Sequence, residues 1–98
     1  MRVYELEVFS KALSKALSSE QIRRFRKYQK TITPTAGKPL GPVWFRELKF
    51  GGKRVYFVTQ EDVVLFLSAS NKKSQQAVID VLRSELEVFS ALLDQLIR

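Results

Sequence analysis

The sequence of 98 residues contains no cysteine and no histidine. The absence of cysteine excludes disulfide cross-links, thiolate metal sites and cysteine nucleophiles. The absence of histidine excludes Ser-His-Asp triads and imidazole acid-base pairs. Any enzyme built from this chain must therefore work with lysine, arginine, tyrosine or carboxylate side chains, and no metal or cofactor is expected.

Long apolar runs are also missing, since none approaches the ~20 residues that a membrane-spanning helix needs. The first residues, 1–7, carry acids in place of the apolar segment of a signal peptide. We therefore expect a cytoplasmic protein with no membrane partner. A chain of this length with 45% hydrophobic residues suits one folded domain over residues 1–98.

Positive charge is abundant, with 17 basic residues against 10 acidic ones and a net charge of +7. The excess lies in the middle third of the chain, where Glu47 is the only acid between residues 21 and 54. The bases of this segment are Arg23, Arg24, Arg26, Lys27, Lys30, Lys38, Arg46, Lys49, Lys53 and Arg54. Clustered charge of one sign repels itself, so its presence indicates a surface for a polyanion or an acidic partner.

Hydrophobic periodicity and turn residues predict an α+β protein. The predicted elements are a strand over 4–8, helices over 11–17 (capped by Ser10) and 20–30 (capped by the Ser18-Ser19 pair), strands over 43–50, 53–59 and 63–67, and a helix over 72–97, with a loop over 35–42. This order, β-α-α-β-β-β-α, predicts an antiparallel sheet with two N-terminal helices on one face and a long C-terminal helix. That last helix would be ~37 Å long, so part of it is expected to meet another chain.

The strongest local signal is a β-hairpin with Gly51 and Gly52 as its two turn residues. This turn sets Lys49 opposite Arg54 and Glu47 opposite Tyr56, and opposed residues share a face. One face then carries Phe45, Glu47, Lys49, Arg54, Tyr56 and Val58, and the other carries Trp44, Arg46, Leu48, Val55 and Phe57. We expect the second to be the core face and the first to be an open surface, with Tyr56 as a surface aromatic.

Lys49 and Arg54, held side by side, suit a phosphate group. Crowding by a second cation favours the uncharged form of a lysine, so Lys49 can act as a base while Arg54 stabilises a pentacoordinate phosphate. That chemistry describes cleavage of RNA by its own 2′-hydroxyl. The same spacing also fits an ordinary solvated sheet face with an incidental salt bridge, and the basic helix over 20–30 also fits a solvated helix face.

Several segments in a fixed order resemble the RelE, HigB and ParE superfamily of bacterial and archaeal toxins. They are GKPL at 37–40, FRELKFGGKRVYF at 45–57, the apolar strand at 63–67 and NKKSQQA at 71–77. The resemblance implies a toxin of a toxin-antitoxin module. RelE and HigB toxins cleave mRNA on the ribosome and inhibit translation, whereas ParE toxins poison DNA gyrase.

Carried over by position, the catalytic residues of this endoribonuclease family correspond to Lys49, Arg54 and Lys73. Two positions depart from the family pattern: Glu47 stands where active relatives have another base, and Ile79 stands where a RelE-type tyrosine would be sought. The predicted RNA contacts are Arg23, Arg26, Lys27, Arg46, Lys53 and Lys72.

The partners implied by the resemblance are an acidic antitoxin, the ribosome and mRNA. Assembly as a homodimer or as a heterotetramer with the antitoxin stays open. A ParE-like toxin directed at a protein, an antitoxin-binding chain without catalysis, and an RNA-binding module without chemistry are the alternatives.

Overall fold

The computed structural model describes all residues, 1–98, as a mixed five-stranded sheet with helices on both faces. Its elements are β1 (Arg2–Glu5), α1 (Phe9–Ala16), α2 (Ser19–Gln29), β2 (Lys38–Pro39), β3 (Phe45–Phe50), β4 (Lys53–Gln60), β5 (Val63–Ser70), α3 (Gln75–Arg83) and α4 (Leu86–Ile97). The strand order is β1-β5-β4-β3-β2. The predicted α+β class is confirmed. None of the helices is long and apolar enough to cross a membrane.

The sheet is not purely antiparallel, as we had expected, because β1 runs parallel to β5. β5 is apolar on both faces and needs a neighbour along each edge, which β4 and β1 provide. This long-range pairing leaves no local signal in the sequence. β1 also ends earlier than predicted, at Glu5, because the chain turns into α1 with Val8 rather than Ser10 at the N-cap position.

Helices α1 and α2 cover one face of the sheet, as predicted. Their buried side chains join those of β4 and β5 in a first core, which includes Phe9, Leu13, Phe25, Val55, Phe57 and Phe66. The ring of Phe66 lies 5.4 Å from the rings of both Phe9 and Phe25. The predicted serine cap of α2 is present as a full capping box, in which Ser18 and Gln21 bond each other's backbone N–H.

Helices α3 and α4 cover the other face, which corrects our expectation that this side of the hairpin is open. Phe45, Tyr56 and Val58 are fully buried there, in a second core that also contains Ile79 and Phe89. Strands β3 and β4 carry apolar side chains on each face of the hairpin, together with polar ones. Both faces therefore have to be covered by other parts of the chain. Only the end of this face near the Gly51 turn stays polar.

The predicted long C-terminal helix is broken into α3 and α4 between Arg83 and Leu86. A single helix of ~37 Å would exceed the longest dimension of the molecule, 34 Å. The break lets Ile79 and Phe89 bury against the same sheet face. Ser84 Oγ donates a hydrogen bond to the Val81 carbonyl at 2.6 Å in this connection. Both helices therefore pack on their own sheet.

Candidate functional site

The hairpin of β3 and β4 has the register that the sequence predicted. Lys49 pairs with Arg54 and Glu47 pairs with Tyr56. Gly51 and Gly52 have φ angles of +56° and +80°, which only glycine adopts readily and which the tight turn requires. The side-chain amide of Gln21 donates a hydrogen bond to the Gly51 carbonyl at 3.1 Å. The turn is thereby attached to the start of α2.

The segment predicted as a loop contributes a short edge strand, β2, to the site. Lys38 pairs with Glu47 across the strands, which brings its side chain to the same face. Gly37 has a φ of +68°, and a Cβ there would lie 2.1 Å from the Glu47 carbonyl oxygen. Glycine is therefore required for β2 to lie this close to β3. Lys38 was missed as a site residue because this pairing depends on the path of the loop.

Arg46 holds that loop in place. Its side chain is buried, and its guanidinium donates to the carbonyls of Thr35, Ala36, Gly37 and Val43 at 2.8 to 3.2 Å. Every guanidinium nitrogen therefore has a backbone partner. This is a structural role, in contrast to the RNA contact expected from the sequence, because the side chain is buried and four of its five N–H groups bond backbone carbonyls.

Glu47 is the centre of the polar cluster on the opposite face of the hairpin. Its side chain is 1% exposed, and its Oε2 accepts a hydrogen bond from the Gln75 amide at 2.8 Å. Its Oε1 lies 3.5 Å from Arg54 Nε and 3.8 Å from Lys38 Nζ. Both Oε1 and Arg54 Nε are buried without a hydrogen bond. The carboxylate thus compensates two cations by charge rather than by well-formed hydrogen bonds.

Arg54 and Lys49 supply the positive charge that remains available. Arg54 is mostly buried, its Nη1 donates to the Lys53 carbonyl at 3.3 Å, and its Nη2 makes no hydrogen bond within the chain. Lys49 is exposed and forms no ion pair. The like-charge crowding expected from the sequence is relieved by Glu47. Lys49 thus presents its side chain to solvent beside Arg54, whose charge is partly compensated by Glu47.

A surface cavity of about 280 Å³ opens beside this cluster. Its lining residues are Gly37, Lys38, Glu47, Leu48 and Lys49. Two lysines and a neighbouring arginine surround a single buried carboxylate, so the cavity carries net positive charge. Such a cavity favours an anionic group with several oxygens, for which arginine provides directed donors and lysine provides a point charge.

Tyr56 lies beneath the cluster, fully buried, and not on an open sheet surface as we had expected. Its hydroxyl shares a hydrogen bond of 2.7 Å with Ser70 Oγ. Burial, and to a lesser degree the charge of Glu47, raise the pKa of Tyr56, against the opposing effects of Ser70 and Arg54. Tyr56 is thus a neutral support for the site, out of reach of a ligand.

The turn between β5 and α3 carries Lys72 and Lys73 and is attached to the cluster at both ends. Ser70, at its start, pairs with Arg54 across the strands, and Gln75, at its end, bonds Glu47. Both lysines are exposed and unpaired. The structure therefore places Lys73 between Ser70, which pairs with Arg54, and Gln75, which bonds Glu47.

The basic residues of α2 lie on the other side of the sheet. Arg23 and Lys27 are exposed and form no ion pair. Arg26 instead pairs with Glu5, bonds Gln29 at 3.1 Å and lies 5.8 Å from the centre of the Phe9 ring. Its predicted contact with RNA competes with these internal contacts. Lys53 pairs with Phe50, on the face that α2 covers.

No group of three or more acidic, histidine or cysteine side chains could hold a metal ion. Ile79 is a core residue, so the position where a RelE-type tyrosine would be sought is apolar and buried. Comparison of the chain with protein-family models and with curated proteins finds no match. The chemistry of the site therefore has to be argued from its geometry.

Proposed function

We propose that the chain is a toxin of the RelE, HigB and ParE type that cleaves mRNA on the ribosome and so inhibits translation. The observation that carries the proposal is the unpaired Lys49 beside Arg54, whose Nη2 has no partner, at the rim of a cationic cavity. The order of a strand, a helix pair, a three-stranded meander and terminal helices also supports it. The toxin acts in the cytoplasm.

In the proposed reaction, the scissile phosphate binds between Arg54 Nη2 and Lys49 Nζ. The 2′-oxygen of the preceding ribose attacks phosphorus and gives its proton to solvent. The bond from phosphorus to the 5′-oxygen then breaks, and that oxygen takes a proton from water, which leaves a 2′,3′-cyclic phosphate. The two cations stabilise the additional negative charge of the pentacoordinate phosphate. Lys73 assists from the adjoining turn.

The two departures from the family pattern, Glu47 and Ile79, are compatible with this reaction. Glu47 holds Arg54 and Lys38 in place and is too buried to touch substrate. With Ile79 in the core, the chain offers electrostatic stabilisation but no second group for proton transfer. Catalysis by charge alone depends on a well-oriented substrate. That dependence supports the ribosome as the partner that orients the mRNA.

An acidic antitoxin segment is the proposed regulator. The net charge of +7 and the two lysines that line the cavity favour a negatively charged chain that folds on contact. Such a segment would occupy the same cavity as the phosphate and thereby block it. Assembly with the antitoxin as a heterotetramer, or of the toxin as a homodimer, is compatible with this arrangement.

A ParE-like toxin acting on DNA gyrase is the second candidate. Two features favour the ParE-like candidate, because both remove groups that a nuclease would use. Glu47 neutralises part of the basic cluster, and Ile79 is buried in the core. A toxin of this kind leaves transcripts intact and induces DNA damage. An antitoxin-binding or RNA-binding chain without catalysis would do neither.

The decisive experiment compares induced expression of the wild type with Lys49→Ala and with Lys49→Arg, which keeps the charge. Growth arrest and the 5′ ends of cellular mRNA are measured together. We expect new ribosome-dependent mRNA ends with the wild type, their loss with Lys49→Ala and partial retention with Lys49→Arg. Cleavage by Lys49→Ala equal to the wild type would reject the assignment.

A second variant tests Arg54 without leaving a charge unpaired in the interior. Arg54→Ala alone leaves the buried carboxylate of Glu47 without its arginine partner, which lowers the free energy of unfolding by about 3 to 5 kcal/mol. The double variant Glu47→Gln with Arg54→Gln removes both charges and keeps similar side-chain volumes. We expect it to fold, as judged by circular dichroism and thermal unfolding, and to lose mRNA cleavage. A folded double variant with full activity would remove Arg54 from the mechanism.

A further inference from the structure

The cationic cavity extends further than the proposed scissile phosphate needs. Arg54 does not line the cavity, whereas Lys49 and Lys38 both do. A phosphate bound between Arg54 and Lys49 therefore lies at the rim of the cavity. The space of about 280 Å³ between Lys49 and Lys38 stays largely open in that arrangement.

This open space begins where strand β2 stops pairing. The two strands β2 and β3 pair only at Lys38 with Glu47 and at Pro39 with Arg46. Because β2 is the outermost strand, no strand covers the edge of β3 beyond Glu47. Gly37 lies directly against the Glu47 carbonyl there, where a side chain would not fit. The cavity is therefore a gap in the edge of the sheet, open to an extended chain.

Three cations stand on three neighbouring strands along this gap. Lys49 of β3 is opposed to Arg54 of β4, and Lys38 of β2 is opposed to Glu47, two positions before Lys49 and on the same face. Directly opposed residues have Cβ atoms about 5 Å apart, and diagonal neighbours are about 7 to 8 Å apart. Lys49 therefore has a cation on each side, and the two intervals can hold two different anionic groups.

Glu47 keeps the two ends of this row apart. Its Oε1 lies 3.8 Å from Lys38 Nζ and 3.5 Å from Arg54 Nε, and the two cations reach it from the strands on either side of β3. A phosphate placed over this carboxylate would meet a like charge, so anions favour the positions on either side of it. The Lys38 side chain is 64% exposed, and an exposed ion pair of this length holds it only weakly. Lys38 can therefore turn to a ligand.

We propose that Lys38 and Lys49 bind a second phosphate of the same RNA strand, adjacent to the scissile one. This inference rests on the proposed function. The RNA backbone would cross the hairpin from β4 to β2, with the scissile phosphate between Arg54 and Lys49 and its neighbour in the cavity. A second anchor limits the rotation of the scissile group and so favours the geometry of attack. Lys38 thus positions the substrate and transfers no proton.

The test compares two trinucleotides that differ by one charge. Both are 2′-O-methyl uridylates, which lack the hydroxyl needed for cleavage. One has two phosphate linkages, and the other has one phosphate and one neutral methylphosphonate. Isothermal titration calorimetry with the purified protein should show about tenfold tighter binding of the doubly charged trimer, as expected for one charge-assisted contact. Failure of the wild type to distinguish the two trimers would overturn the proposal.

Lys38→Met then assigns the second phosphate to its residue. The variant loses the charge, keeps a side chain of similar length and leaves Glu47 bonded to Gln75 and beside Arg54, so we expect it to fold. It should bind the doubly charged trimer about tenfold more weakly and the singly charged trimer within about twofold of the wild type. An equal loss for both trimers would overturn the assignment, because Lys38 would then act on the whole ligand.

Two further variants serve as matched controls. Lys38→Arg keeps the charge and should retain the difference between the trimers. Lys11→Met removes an exposed lysine of α1, the helix on the other face of the sheet, and should leave that difference unchanged. A loss of the difference in Lys11→Met equal to that in Lys38→Met would show that only the net charge matters, which would also overturn the proposal.

Failure of this inference can be distinguished from failure of the proposed function. Binding of the trimers needs neither a ribosome nor cleavage, whereas mRNA cleavage is measured by its loss in Lys49→Ala. Cleavage that depends on Lys49, without any effect of Lys38 on the second phosphate, would retain the nuclease and reject the second phosphate site. The reverse result would retain a site for two phosphates in an RNA-binding protein.

Discussion

The two faces of the hairpin each bury an arginine, and the two arginines are used differently. Arg46, on the face of Leu48 and Val55, gives all its guanidinium nitrogens to backbone carbonyls. Arg54, on the opposite face, makes one hydrogen bond to a carbonyl and a loose ion pair with Glu47. Their exposures are nearly equal, 7% and 9%. Burial of a charge therefore does not distinguish a fully bonded arginine from an incompletely bonded one.

The difference lies in how completely each guanidinium is satisfied. Buried polar groups are almost always hydrogen-bonded, so an incompletely satisfied one requires an explanation. At Arg54, Nε lies buried 3.5 Å from Glu47 Oε1 without a hydrogen bond, and Nη2, which has no partner in the chain, is the atom that the proposed function assigns to a ligand oxygen. The two faces also depend on each other. Arg46 holds the loop that carries Lys38, and Lys38 reaches Glu47 on the other face.

The largest contrast between the faces should come from their lysines, exposed Lys49 on one and half-buried Lys53 on the other. Lys49→Ala should lower mRNA cleavage at least ~100-fold, the usual effect of removing one group that stabilises transition-state charge. Lys53→Ala, one pair nearer the turn than Lys49 and on the other face, should lower it only a few-fold. Cleavage assays with purified ribosomes measure both variants. Similar losses in the two variants would contradict the assignment of one face to catalysis.

Next in size is the effect of Arg46 on stability. Arg46→Ala leaves four carbonyls without their charged donor, and we expect a loss of about 3 kcal/mol in the free energy of unfolding. Arg46→Lys should recover only part of it, since an ammonium cannot reproduce the planar fork. Urea unfolding followed by circular dichroism gives the values. A loss below about 1 kcal/mol in Arg46→Ala would show that the loop does not depend on this clamp.

Tyr56→Phe should have a smaller effect on the free energy of unfolding, and the size of that effect depends on pH. At pH 7, Tyr56→Phe should cost about 1 kcal/mol because the bond to Ser70 is lost. The pKa of Tyr56 is raised in the folded state, so its contribution is fully present below the ordinary tyrosine pKa of about 10 and is lost as the pH rises through the folded value. The stability gap between wild type and variant should therefore narrow above about pH 10. A gap that widens there would refute the burial effect.

The smallest effect concerns the exposed cations of α2, on the far side of the sheet from the site. Lys27→Ala should reduce the salt dependence of single-stranded RNA binding by about 0.7 in the log-log slope. Arg26→Ala should change that slope less, because Glu5 already neutralises Arg26. Titrations at several salt concentrations measure both slopes. Equal changes would indicate that Arg26 leaves Glu5 to contact RNA.

A hexapeptide that occurs twice illustrates what local sequence can predict. Glu-Leu-Glu-Val-Phe-Ser stands at residues 5–10 and again at 85–90. We predicted a strand for most of the first copy and a helix for the second. Both copies in fact lead into helices, since α1 begins at Phe9 and α4 at Leu86. The alternation of apolar residues in the first copy extended the predicted strand too far, because neighbouring β1 ends at Glu5.

The site was predictable where it depends on contacts close in sequence. The Gly51 turn and the alternation of side chains are enough to pair Lys49 with Arg54. Lys38 and Gln75 were not predictable, although both contact Glu47. One reaches it through a loop held by Arg46, the other through the start of a helix after β5. A lone acid in a basic segment was the only sequence signal that such partners exist.

The amino-acid sequence alone determined the α+β class, the register of the hairpin, the capped start of α2 and the concentration of cations around one turn. These features follow from backbone preferences and side-chain periodicity over a few residues. The tertiary structure alone decided the parallel pairing of β1 with β5, the break between α3 and α4, and which arginine is left incompletely bonded. Those depend on how both faces of one sheet are covered within a molecule 34 Å long, a constraint that acts between residues far apart in the chain.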